Sequence, residues 1–529
     1  MNIRYCPWMG DARKSQAFEY RDGSRLHMIH IKSPSDINSG TITAVAYERE
    51  RLEIAPDLLA AVDQSRETFN ALIDSGVACY GVTTGLGKMS TTNLSDEARD
   101  DISKNMMMAR AVAFGAALPR PVARAMMMIR LVNFLSGQDG VSSQLCRYIV
   151  SRLNDDFDPF VPSQGHGFAA DGTPNAHCFQ TLIGEGRVLD DRDASISAAV
   201  ALSERNQMPY ELAPKEGLAL INGITALPAY AIYAHRQASA LHRFSNRVAA
   251  LSMDAIASPK DSIHPALAVG ASAGVSTVID DLNKYLRGST VQPYKLQAAV
   301  SLRIIPQVHG AHADALSQVQ SGIEQTIQTF SGNPMLVNDG GEGAPALLSV
   351  GSFHNQFLVN LIEYLAISTA HVICLSERRL HRMMDEKQTG LNPQLAPRPG
   401  LDAGMVVAHK ACIDLTARVR MAAQPLSLMT SETSGGQEDY MSMAVPVIQR
   451  LLEIVRLGIA VLTYEALAGC VALDQRQAVF GTGVTELYDF VRAHIPPLDK
   501  DRSPGEDFEI IHHQICGEYF AELDLGSQT

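Results

Sequence analysis

Charge is scarce in this 529-residue chain. Asp, Glu, Lys and Arg make up 19% of it, against about 25% in an average soluble domain, while 46% of residues are apolar. So little charge implies much buried surface, in a large core or between subunits. Runs of Lys and Arg long enough to track a phosphate backbone are absent, and the net charge is −13. Together these exclude a general nucleic-acid binder and favour a small-molecule substrate. The eight cysteines (Cys6, Cys79, Cys146, Cys178, Cys374, Cys412, Cys470 and Cys516) include no C-x-x-C pair. Neither a zinc site nor a disulfide scaffold is expected, and a reducing cytoplasm fits best.

Met1 to Gly10 carries Arg4 and Trp8 but no apolar centre, unlike a secretory signal. Asn93-Leu-Ser95 is then a chance match to a glycosylation acceptor. The longest apolar run, Leu457 to Leu473, holds Glu465 near its middle and falls short of the ~20 residues of a bilayer span. It reads as a buried helix, and no membrane partner is expected. Length alone suggests roughly three or four domains of ~150 residues. No internal repeat, low-complexity tract or Pro/Gly linker divides the helical part, so the chain is split for convenience. The divisions are an N-terminal extension (1–45), a region of loops with chemical character (46–214), a central helical bundle (215–480) and a C-terminal tail (481–529).

Residues 1 to about 40 are polar, with turn signals at Asp22-Gly23 and Ser39-Gly40 around the strand-like Leu26-His-Met-Ile-His-Ile31, which suggests a hairpin. Helical spacing follows. Pro121 to Phe134 stacks Ala125, Met128, Ile129 and Val132 on one face. Leu358, Leu361, Ile362, Leu365 and Val372 recur in a segment apolar on more than one face, as do residues of Val406–Met421 and Ile448–Leu473. These predict a mainly α architecture, a long-helix bundle with a smaller loop-rich N-terminal region. The runs Met106-Met-Met108 and Met126-Met-Met128 read as adaptable core filler before a soft binding surface.

Six motifs stand in order along the chain: Tyr80-Gly-Val-Thr-Thr-Gly-Leu-Gly87, Lys215-Glu-Gly-Leu-Ala-Leu-Ile-Asn-Gly223, Gln297-Ala-Ala-Val-Ser-Leu-Arg-Ile-Ile-Pro-Gln-Val-His-Gly310, Gly351-Ser-Phe-His354, Ser376-Glu-Arg-Arg379 and Gly436-Gln-Glu-Asp-Tyr-Met-Ser-Met443. A tyrosine in a glycine-rich loop is free to reach a substrate, an arginine offers a planar fork to a carboxylate, and a glutamate beside a glutamine can orient an amine. Each has a plainer reading too. Tyr80 can be a packed loop aromatic, Arg303 half of an ion pair, Asn222 a helix cap and Glu438 a satisfied carboxylate. His177, His309 and His354 read as structural, and no H-E-x-x-H spacing makes them metal ligands.

From about residue 50 to 475 these motifs together resemble the histidine/phenylalanine/tyrosine ammonia-lyase and aminomutase family. The resemblance implies an ammonia-lyase-like fold, a homotetramer whose sites draw on three chains, and Tyr80 as the base that takes the β-proton. It implies that Asn222 contacts substrate, that Arg303 grips its carboxylate with Gln297 and Phe353 in the pocket, and that Glu438 lies on the amine side. Val161-Pro-Ser-Gln-Gly-His-Gly-Phe-Ala-Ala-Asp-Gly-Thr-Pro-Asn-Ala-His177 follows the family's cofactor loop, V-P-x-x-G-S-V-G-A-S-G-D-L-A-P-L-A-H. There an Ala-Ser-Gly triplet closes into the electrophile methylidene-imidazolone (MIO), its serine losing water. The triplet here is Phe168-Ala169-Ala170. Ala169 has no oxygen to expel and Ala170 less backbone freedom than glycine, so MIO is expected to be absent. Gly270-Ala-Ser-Ala-Gly274 lies outside the motif frame and does not replace it.

Other departures surround the same site. Arg110 stands where the family has a ring-facing histidine, Val300 replaces its second tyrosine, Ala298 an aspartate and Ser352 an asparagine. A cation at 110 suits an added acidic or polar group on the substrate; pairing with a neighbouring carboxylate is the alternative. A positioned base and one oxyanion-type donor supply together about 4–10 kcal/mol, too little to strip an unactivated β-proton from a free amino acid. The expectation is a repurposed, MIO-independent enzyme acting by Tyr80-assisted proton transfer on a carboxylate-bearing or activated substrate, free or carrier-bound. The alternatives are a non-catalytic scaffold or regulatory homologue and an ordinary ammonia-lyase or aminomutase.

Overall fold

The computed structural model describes residues 27–86, 91–92, 95–167, 169–338 and 343–520, with the backbone alone for 96–101. The turn signal at Asp22-Gly23, the motif residue Gly87 and the triplet residue Phe168 lie outside the described residues. In chain order the N-terminal part runs β1 (Met28–Ile31), α1 (Ser39–Ala46), β2 (Arg51–Ile54), α2 (Pro56–Asp74), α3 (Asp96–Met108), β3 (Phe114–Ala117), α4 (Arg120–Leu135), α5 (Ser143–Asn154), β4 (Asp158–Pro159), β5 (Pro162–Gln164), α6 (Gly172–Phe179), β6 (Arg187–Leu189), β7 (Ser195–Ser197), α7 (Ala198–Glu204) and α8 (Glu216–Ile221). The bundle follows with α9 (Ala226–Ile256), α10 (Ala273–Tyr285), α11 (Val300–Arg303), α12 (Ile305–Gln328), β8 (Met335–Val337), β9 (Ala346–Leu348), α13 (Gln356–Met383), α14 (Glu386–Thr389), α15 (Val406–Ala422), α16 (Ala444–Asp474), α17 (Thr482–Arg492) and α18 (Pro504–Tyr519). The fold is mainly α, as the spacing predicts.

Among the described residues the expected N-terminal hairpin is not formed. β1 pairs with β2 in parallel, Met28 opposite Arg51 and Ile31 opposite Ile54. Parallel strands need a crossover, and Ser39-Gly40 begins the helix that makes it instead of a tight turn. Asn38 caps that helix, its side chain accepting from Thr41 N at 3.0 Å.

The long helices α9, α12, α13 and α16 pack side by side, α16 against both α9 and α13. Three stretches, around α9, α13 and α16, are long and apolar enough to cross a membrane by length and composition, but their apolar windows are 94%, 67% and 83% buried in the fold. A helix apolar all round finds such cover in the middle of a bundle. Met107 and Met126–Met128 are fully buried and Met106 nearly so, as core filler should be; Met108 is partly exposed.

One cluster of polar groups deep in the bundle is paired. Glu465, fully buried in α16, takes the Arg379 guanidinium fork (Nε to Oε1 2.6 Å, Nη2 to Oε2 2.9 Å) and the hydroxyls of Ser252 and Ser376. Beside it His309 Nδ1 bonds Asn246 Oδ1 at 2.7 Å, and the Nδ1 atoms of His242 and His312 face each other at 3.1 Å. Burial holds these rings neutral. It drives His242 down to about 4, helped by the charge of Arg243, and His309 and His312 well below the ordinary imidazole value, with Arg379 adding to the effect on His309. Below an unfolded-state pKa of about 6.5 the unfolded chain therefore takes up protons that the folded chain refuses. This contribution to stability is complete above that pH and falls as pH drops toward 4. The urea midpoint is expected to be lower at pH 5 than at pH 7, and an unchanged midpoint contradicts it.

Candidate active site

The loop that resembles the cofactor loop is braced on two sides. Its first strand, β5, pairs antiparallel with β3, placing Phe114 opposite Gln164. His177, at the end of the loop's following helix, accepts a hydrogen bond from Ala113 N at 3.0 Å through Nε2. Burial, with nearby His166 and Arg187, pushes His177 down to about 4, so it is neutral and acts as an acceptor. Ala169 is buried. Asp171 receives Leu227 N on Oδ2 at 2.9 Å and donates its own N–H to Gly223 O at 3.2 Å. Burial raises its carboxyl to about 6 against the opposing pull of these backbone N–H groups. Asn175 Nδ2 adds bonds to Ile221 O at 3.1 Å and Gly223 O at 3.2 Å. The loop is thereby tied to the segment carrying Asn222.

That segment is α8 and its two flanks. Lys215, buried, precedes the helix and donates Nζ to Pro334 O at 2.7 Å. Asn222 follows it and donates Nδ2 to Asn333 O at 3.1 Å. A six-residue helix is thus clamped at both ends to consecutive carbonyls of the bend that precedes β8. Asn333 Oδ1 in turn takes Val350 N at 2.8 Å, which anchors the start of the Gly351–His354 loop and its half-buried Phe353. His354 packs on Tyr440 with ring centroids 5.8 Å apart, joining that loop to the one bearing Glu438.

Tyr80 sits in a tight turn closed by Val82 N and Thr83 N on Cys79 O. The turn lies on α8. A Cβ on Gly81 would come within 2.9 Å of Leu218 Cδ2, and its φ of +67° is one that favours glycine. Arg110 follows α3 and bonds Met106 O through Nη1 at 3.0 Å, a cap on the helix's last turn. Burial lowers its pKa, while Tyr80 and Glu438 pull the other way. Three residues far apart in sequence are therefore electrostatic neighbours. Glu438 is held by a bridge between Thr433 and its own backbone, and its Oε1 accepts Ser434 Oγ at 3.1 Å. Its Oε2 is buried and has no hydrogen-bond partner among the described residues.

Gln297 and Arg303 stand apart from this group. With its amide turned so that the oxygen faces the guanidinium, Gln297 accepts Arg303 Nη1 at 2.5 Å and Nη2 at 3.2 Å. Both are exposed, as are Val300 at 55% and Leu296 at 99%. No hydrogen bond or ion pair among the described residues joins them to Tyr80, Asn222 or Glu438. Among the described residues there is also no cluster of three His, Cys, Asp or Glu able to hold a metal.

On this long-helix bundle, loops bring Tyr80, Arg110 and Glu438 together as electrostatic neighbours, and Asn222 lies on a segment tied to the loop that carries Ala169. The family model "Aromatic amino acid lyase" matches residues 37–493, and the chain belongs to that family. It is 30% identical over 496 residues to histidine ammonia-lyase of Bacillus velezensis, covering 92% of this chain and 95% of that one. With the enzyme of the same name from Geobacillus thermodenitrificans the identity is 32% over 478 residues, covering 88% and 93%. Among solved structures, ergothionase of Treponema denticola, an ergothioneine-degrading enzyme, superposes with a TM-score of 0.89 at 22% identity over 93% of this chain and 99% of that one. Tyrosine aminomutase of Streptomyces globisporus gives 0.83 at 24%, covering 94% and 100%. At such identities the structures establish the shared fold.

Sequence reasoning missed the residues behind the site, above all Asn333 and the buried charges Arg130 and Asp139. Arg130 did carry a signal. It is a lone cation in the middle of Met126-Met-Met-Ile-Arg-Leu-Val132, where a helix otherwise shows only apolar side chains.

Proposed function

We propose that this lyase-family enzyme eliminates an amine that is already a good leaving group, without MIO. The observation that carries the reading is Ala169: residues 169 and 170 do not fit the prosthetic group, because neither has a hydroxyl to lose. Tyr80 takes the proton from the carbon β to the carboxylate. The C–H electron pair becomes the new C=C bond, and the C–N pair departs with the amine. A quaternary ammonium suits such a site, since its nitrogen has no lone pair for an electrophile to work on and leaves as a neutral tertiary amine. Ergothioneine, the compound named with the Treponema denticola structure, is a betaine of this kind. The unpartnered Oε2 of Glu438 can face a cationic head by charge alone, and Arg110 beside it suits a polar or acidic ring substituent.

The exposed pair Gln297–Arg303 supports a composite site, completed by other copies in a homotetramer. A second reading, an ordinary histidine ammonia-lyase, is favoured by the relatives at about 30% identity. One set of measurements separates the two. The intact chain is expected at its unmodified mass, in a native particle of four copies, releasing trimethylamine from ergothioneine and no ammonia from histidine. A mass short by two waters together with ammonia release establishes the second reading instead.

A further inference from the structure

Two opposite charges lie directly behind the site, and neither has a hydrogen-bond partner within the described protein. Arg130, in α4, is fully buried with Nε, Nη1 and Nη2 all unpartnered, and Asp139 is fully buried with both oxygens unpartnered. Buried ionised groups are ordinarily paired, because each loses its hydration. Lys215 is the third member, its Nζ 3.8 Å from Asp139 Oδ1 while its bond goes to Pro334 O.

Each charge abuts one of the two backbone segments that meet at Asn222. A Cβ on Gly223, whose φ is +108°, would lie 3.0 Å from Arg130 Nη1, and a Cβ on Gly332 would lie 2.4 Å from Asp139 Oδ1. Gly223 follows Asn222 and Gly332 precedes Asn333, the two residues joined by the Asn222 Nδ2 to Asn333 O bond. Neighbouring neutral contacts run the same way: Asn133 Oδ1 takes Ser331 N at 2.7 Å, and Ser331 Oγ takes Ile224 N at 3.1 Å.

We infer that Arg130 and Asp139 are positioning residues for Asn222, a cation pressed on the 222–223 turn and an anion on the 332–333 turn whose mutual attraction draws the two segments together. The inference rests on the proposed reading only in taking Asn222 to contact substrate. Lys215 adds a tether from the helix start to the same anion. The energetics are those of a buried triad with one anion: removing Arg130 leaves Asp139 facing Lys215, whereas removing Asp139 strands both cations.

The test uses the full-length protein with Arg130→Met, Asp139→Leu and the double variant. Asp139→Leu is expected to lower the apparent Tm by roughly 5 °C or more and Arg130→Met by less, with the double variant more stable than Asp139→Leu because one stranded cation is gone. In a crystal structure of the double variant the Asn222–Asn333 hydrogen bond is expected to be lost, and ergothioneine binding to weaken about tenfold. Arg130→Lys, which keeps the charge, retains bond and binding. If the double variant is no more stable than Asp139→Leu, or keeps Asn222 in place, or if Arg130→Lys behaves like Arg130→Met, the inference is wrong. Should wild type bind no ergothioneine, the crystal structure and the Tm series still decide it, and that failure falls on the proposed function alone.

Discussion

Replacing Tyr80 by phenylalanine is expected to cut kcat for amine elimination by ~10²–10⁴-fold, the contribution typical of a positioned general base. The change removes one oxygen and leaves the ring. Tyr80 is half-buried and packs against the main core through that ring, and its turn is closed by backbone bonds to Cys79. Stability and KM should therefore move little, while kcat and kcat/KM fall together, the pattern of an interaction made only in the transition state. Equal turnover by Tyr80→Phe and wild type removes Tyr80 from the mechanism. A loss of Tm instead of kcat assigns it to packing.

The largest effect on stability is expected at Glu465. Changing it to leucine strands Arg379, whose guanidinium and whose partner carboxylate are both fully buried, and breaks the bonds to Ser252 and Ser376. Removing one partner of such a pair costs about 3–5 kcal/mol. Urea denaturation should show that loss, with most of it recovered in the double variant Arg379→Met/Glu465→Leu. A single variant as stable as wild type would mean that the pair contributes nothing to the bundle.

Much of the bundle was legible because helical spacing is a local signal. Pro121–Phe134 falls within α4, Val406–Met421 within α15 and Ile448–Leu473 within α16. The β1–β2 pairing was not legible, since it depends on which strand lies alongside, and turn residues at Ser39-Gly40 serve a helix start as readily as a hairpin. At the site, the order of the motifs carried the family, and Tyr80, Arg110 and Glu438 come together as neighbours. No spacing rule announces that meeting, because α4 to α15 intervene between Arg110 and Glu438 in the chain. Gln297 and Arg303 bond each other and, among the described residues, no other of the predicted site residues, which sequence periodicity does not address. The burial of Arg130 beside Gly223 depends on a non-local approach of two backbones, visible only once the chain is folded.

The clamped helix α8 works as a ruler. Its start is fixed to Pro334 and its end to Asn333, and Leu218, one turn along, sets how closely the Gly81 turn can approach. The turn that carries Tyr80 and the helix end that precedes Asn222 are thus both referred to one short helix. Lengthening α8 would break the bond at one of its ends, so changes in what this region accepts are better sought in side chains on the neighbouring loops, such as Arg110, Ser352 or Phe353.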